Sequence, residues 1–208
     1  MGEQIKITIP QGWDEVTIER FQMLQTLKDV KEYESQLTYM IDVISILADV
    51  DVSYISGINM ENLNLIANDM GWLQEDIKSD KKEVITVDGV EYKWKGKFNE
   101  LTVGEMISIE QVIDLEELSY NMSFDVIMAI LLRKIKEDGT LEEFDAKSFE
   151  VMREKFSKLM ITEIYGMIVF FSLGVKSFMS NIQESSVPAV TEKKTNSSQK
   201  RSWLWKRK

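Results

Sequence analysis

Residues 83–94, "EVITVDGVEYKW", restrict the fold more than any other stretch of this chain. Two runs of alternating apolar and polar side chains flank Asp88-Gly89, a pair that accepts positive φ at both positions. A turn of that kind matches the twist of paired strands and closes an antiparallel hairpin. A lone hairpin is marginal in water, so it needs another strand and a partner for its apolar face. "IKITI" at 5–9 alternates in the same way and is stopped by Pro10 and Gly12, which makes it the expected third strand.

Elsewhere the apolar period is helical. Stripes run through Leu37, Met40, Ile41, Ile44 and Leu47, then through Leu63, Ile66 and Met70, with an end near Gly71. Others join Phe124, Ile127, Met128, Leu131 and Ile135, then Phe149, Met152, Phe156 and Met160. The last links Ile164, Ile168, Phe171, Val175, Phe178 and Ile182. The expected class is α+β and mostly α-helical: a helical bundle with a small antiparallel sheet built from the N-terminal strand and the hairpin. With 44% apolar residues, 1–182 suffice for one globular domain.

One phrase is written twice. "WDEVTIERF" at 13–21 returns as "FNELTVGEM" at 98–106, and a looser echo follows each, "LTYMIDVI" at 37–44 and "LSYNMSFDVI" at 118–127. Thr102 and Glu105 have the spacing of a capping box, in which side chains satisfy the unpaired amides of a helix start. Thr17 is placed equivalently, with Arg20 where the acid would be. Two related units, 1–75 and 83–182, would account for the repetition, each a β-element feeding a Thr-capped helix. So would a common helix-start idiom used twice. Trp13 and Phe98, just ahead of the caps, are expected to staple the entering chain to its helix; lining a ligand pocket is the other use of such residues.

Chemistry is limited by what is missing. The chain has no histidine and no cysteine, which excludes disulfides, imidazole or thiolate metal sites, and triads that need either group. Asp49, Asp51 and Ser53 have calcium-loop spacing, but Tyr54 stands where that loop needs Gly and Met60 where it needs Glu, so a helix-ending turn is expected. Ser79 and Lys82 fit Ser-x-x-Lys within a charged connector rather than at a helix start. The paired acids of "DLEEL" (114–118) and "LEEFD" (141–145) read as solvated faces. No phosphate loop or dinucleotide fingerprint occurs. No catalytic, cofactor or metal residue is expected, and the protein reads as no enzyme; a small Mg²⁺-dependent hydrolase or nuclease is the alternative from another class.

Charge divides the chain. Seven basic and two acidic residues give 183–208 a balance of +5, which leaves −15 of the total −10 on residues 1–182. Such a body repels nucleic acid. The first ten residues hold no apolar signal core, and "IYGMIVFFSLGV" (164–175) is too short to cross a bilayer, so a chain kept without export is expected. From Gln183 the chain reads as a disordered tail closed by a docking peptide: Trp203, Leu204, Trp205, Lys206 and Arg207 combine the side chains that dominate binding hot spots with cations. An acidic groove on a partner protein is its expected target, with a membrane surface or nucleic acid as alternatives.

"IPQGWDEVTIERF", the Asp-Gly hairpin running into "YKWKGKFNELTVGEMISI", and "FFSLGVKSF" together resemble small acidic proteins of tailed bacteriophages, found among virion and tail genes and labelled tail assembly chaperones or structural proteins. The resemblance covers about residues 5–182. It implies a non-enzymatic role in virion or tail assembly through binding of a phage structural protein in the host cytoplasm. A structural or packaged component of the mature virion is the other reading. It assigns no active-site residue.

Overall fold

The computed structural model describes residues 7–30, 33, 35–79, 82–95, 100–115 and 123–186. Among them are eight α-helices and one three-stranded antiparallel sheet. The class is therefore α+β and mostly helical.

Each early helix starts on a side-chain cap. Thr17 precedes α1 (Ile18–Val30) and its Oγ1 accepts from the Arg20 amide at 3.3 Å. Ser35 caps α2 (Gln36–Ala48) through the Thr38 amide, and Asp49 ends it in the left-handed region at φ 56°. Asp51 then caps the short α3 (Val52–Ser56), and Asn59 caps α4 (Met60–Asp69). The expected helix-ending turn at "DVDVS" is thus also a helix start, because Asp51 accepts from the Ser53 amide at 2.8 Å.

The hairpin forms as its turn pair dictates. Strands β1 (Val84–Val87) and β2 (Val90–Trp94) pair with Val87 opposite Val90, and Asp88 and Gly89 take φ 52° and 76°. The third strand is a correction. It is β3 (Leu132–Lys134), with Trp94 opposite Leu132 and Tyr92 opposite Lys134, and not the stretch around "IKITI". Residues 7–9 form no strand; Ile5 and Lys6 lie outside the described residues. Ile9 is buried in the core and Ile7 packs against it, so their alternation reflects packing rather than pairing.

The same rearrangement shortens a helix. The stripe from Phe124 to Ile135 suggested continuous helix, but α6 (Phe124–Leu131) stops where β3 begins. The backbone groups that leave the helix are taken up by β2: Lys95 N donates to Leu131 O at 3.0 Å and Ile135 N to Glu91 O at 3.0 Å. All eight residues of α6 are buried, as expected of a helix that is apolar nearly all round. It packs against α1, α5 (Val103–Leu115) and α7 (Phe149–Ser157). Helix α8 (Ile161–Ser186) buries Ile161, Ile164, Met167, Ile168 and Phe171. It continues to Ser186, past the Gln183 at which the sequence suggested the end of order. Residues 187–208 lie outside the described residues.

Both copies of the repeated phrase open a helix at the same position. Thr102 Oγ1 accepts from the Glu105 amide at 3.2 Å, matching Thr17 and Arg20. What surrounds the two caps differs. The first follows a 3₁₀ turn at Trp13–Glu15 and is laced to the α7–α8 junction by Ile18 N to Leu159 O (2.9 Å) and Ile161 N to Val16 O (2.8 Å). Trp13 staples it as expected, edge-on to Phe21 at 5.8 Å and to Trp72 at 5.1 Å. Phe98 lies outside the described residues.

Candidate functional site

The candidate site is a groove of about 630 Å³ between α1 and α7, floored by α6. Its α1 wall carries Glu19, Gln22, Met23 and Thr26, which one helical face brings together. Its α7 wall carries Glu150, Val151, Arg153 and Glu154. Helix α7 buries Phe156 toward the core, and that packing turns Val151 outward, 68% exposed. Met23 faces out from α1 at 48%.

The groove floor is an ion pair. Asp125 is 7% exposed and receives Gln22 Nε2 at 2.7 Å and Arg153 Nε at 2.5 Å. A buried carboxylate needs such partners, since an unpaired charge away from water is costly. Arg153, with 23% of its side chain accessible, still reaches the groove. Four carboxylates against one guanidinium leave the lining with a formal charge of −3. A second hollow of about 630 Å³ continues from it, sharing Val151 and Glu154 and bounded by Asp88, Lys155 and Lys158. There Lys155 pairs with Asp88 at 3.1 Å and Lys158 with Glu154 at 3.0 Å.

A second charged cluster is closed. Glu105 and Arg133 are 5% and 4% exposed and paired at 2.7 Å, with Lys95 Nζ 3.0 Å from the same carboxylate. Glu105 also accepts from the Thr102 amide at 2.8 Å, completing the expected capping box. Burial pushes the Glu105 carboxyl up, but bonds from the Thr102 amide, Lys95, the Thr102 hydroxyl and Arg133 together hold it below the ordinary glutamate value. Arg133 also lies over the Phe144 ring at 5.1 Å.

An apolar cleft of about 370 Å³ lies between α1, α2 and residues 67–74, with Trp13, Met40, Val43, Met70 and Leu73 in its wall. Trp13 therefore both staples α1 and lines a cleft, its Nε1 donating to Glu75 O at 3.0 Å. Neighbouring Trp72 has a buried Nε1 with no hydrogen-bond partner among the described residues.

The other sequence candidates take structural places. Ser79 Oγ accepts from the Gly166 amide at 3.0 Å, which ties the connector to α8. Asp80 and Lys81 lie outside the described residues, as do 116–118 of "DLEEL". In "LEEFD", Glu142 pairs with Lys134 at 3.6 Å and Asp145 closes a turn onto the Lys147 amide. Trp203, Leu204, Trp205, Lys206 and Arg207 are outside the described residues too. Among the described residues no group of three or more carboxylates is arranged to hold a metal ion, and no described helix is long and apolar enough to cross a membrane.

Sequence reasoning missed the groove. One available signal was Asp125, a lone acid inside the apolar stripe of α6; another was Val151, off the buried stripe of α7. Compared with protein-family models, with curated proteins and with solved structures, the chain matches none.

Proposed function

We propose that this chain is a non-enzymatic bacteriophage protein that acts in virion or tail assembly by binding another phage protein. The observation that carries the reading is on α8. Val169, Phe170 and Leu173, spaced to share a helix face, are 37%, 58% and 63% exposed, the last two within the "FFSLGVKSF" segment that resembles phage proteins. Apolar side chains grouped on one helix face are a usual feature of a protein contact. Among the described residues the buried charges are engaged in ion pairs, Glu105 with Arg133 and Asp125 with Arg153.

In this reading the acidic body keeps the chain separate in the host cytoplasm, and the apolar α8 face covers an aggregation-prone partner until assembly. Residues 203–207 supply a second contact of aromatic and cationic side chains. The test is purification of the tagged chain from infected cells. A virion or tail protein at comparable abundance is expected, and it should be reduced by Phe170→Glu with Leu173→Glu. Purification without any such protein would overturn the reading. Mass spectrometry of purified virions then separates an assembly factor, absent from particles, from a packaged component, present in fixed copy number.

A further inference from the structure

The α1–α7 groove has a composition that matches one segment of this chain. Its lining combines two exposed apolar side chains, Met23 and Val151, with the carboxylates of Glu19, Glu150 and Glu154. Residues 200–208 read "KRSWLWKRK", an apolar triplet between two basic pairs and a final lysine. We propose that residues 203–208 of the same chain dock in this groove, with Trp203 and Trp205 against Met23 and Val151 and the flanking cations facing the three glutamates. Complementarity is twofold, apolar side chains to apolar side chains and cations to carboxylates. The apolar cleft beside Trp13 offers only half of it, because its one charged side chain is Lys28.

The connection is long enough. Helix α8 starts beside the groove, where Ile161 N bonds Val16 O at 2.8 Å, four residues after the groove residue Ser157. Its 26 residues carry the chain away by about 39 Å at the helical rise. Residues 187–203 span up to about 58 Å when extended, so they reach back along the whole helix. Tethering favours docking within one molecule over docking between molecules at micromolar concentration. The Lys158–Glu154 pair at the rim is largely exposed, 65% and 75%, and such surface pairs are weak enough to be exchanged for the cations of the segment. The inference does not depend on a phage setting. It places the binding segment on the protein's own body until a partner competes for it.

The absence of native cysteine makes the test direct. In the full chain, Val151→Cys is combined with Leu204→Cys, and mild oxidation is followed by mass and non-reducing electrophoresis at low protein concentration. The control pair is Leu65→Cys with Leu204→Cys, Leu65 being an exposed residue of α4. An intramolecular disulfide is expected to form on the order of tenfold faster in the first pair than in the control, a difference set by local concentration. Adding Glu150→Lys with Glu154→Lys, or raising the salt, should bring the rate down to the control. Equal rates in the two pairs would overturn the proposal. So would a rate indifferent to charge reversal, or disulfides that link two copies rather than one.

Discussion

Glu105 with Arg133 and Asp125 with Arg153 are built from the same two kinds of group, yet they do different work. In the first pair both side chains are 5% accessible, and Lys95 and the Thr102 cap close the remaining directions. In the second, the carboxylate side chain is 10% accessible and the guanidinium 23%, and the arginine edge opens on a groove. A sealed pair fixes how the β2–α5 connection meets β3. An open pair leaves a charged floor that something else can contact. Burial of the partner, rather than the identity of the residues, separates a structural ion pair from a site.

The largest effect is expected at the sealed pair. Glu105→Ala strands Arg133 in the core and should cost roughly 3–5 kcal/mol, measured by urea unfolding. Its pH dependence follows from the depressed Glu105 pKa. Stability from this group is fully present above the ordinary glutamate value of 4.5 and is lost as pH falls through the lower folded value. Glu105→Gln should therefore flatten that part of the acid limb, and an unchanged limb would break the account of the pair.

Asp125→Ala is expected to cost less, about 1.5–3 kcal/mol, because Arg153 can turn into the groove and be hydrated. A loss as large as that of Glu105→Ala would remove the distinction between the pairs. Smaller still are the caps, at about 1 kcal/mol each. Thr102→Ala should exceed Thr17→Ala in thermal unfolding, because the Thr102 hydroxyl also donates to Glu105 at 3.1 Å. Arg20, the counterpart of Glu105, only reaches Asp49 at 3.3 Å on the surface. Equal losses would show that the two helix openings are energetically the same.

What was legible in the sequence was local. Asp88-Gly89 declared its turn because positive φ at both positions is a backbone requirement, and Thr102-x-x-Glu105 declared its cap because both bonds close within four residues. The third strand was not legible. Trp94 pairs with Leu132, nearly forty residues on, and "FDVIMAILLRKI" is apolar enough to suit a helix throughout. The alternation of Ile7 and Ile9 pointed to the wrong strand for the same reason: buried residues alternate whether or not their backbone is paired. The groove was hidden because its walls are about 130 residues apart, and tertiary packing of α1, α6 and α7 brings Met23 and Val151 to one hollow.

The claim that one pair is sealed and the other open is tested most directly by double-mutant cycles on Glu105/Arg133 and Asp125/Arg153, read by urea unfolding at low and high salt. The account predicts a large coupling for Glu105/Arg133 that salt leaves nearly unchanged, and a smaller coupling for Asp125/Arg153 that salt weakens, because ions screen only the pair they can approach. Couplings of equal size with equal salt dependence would contradict it.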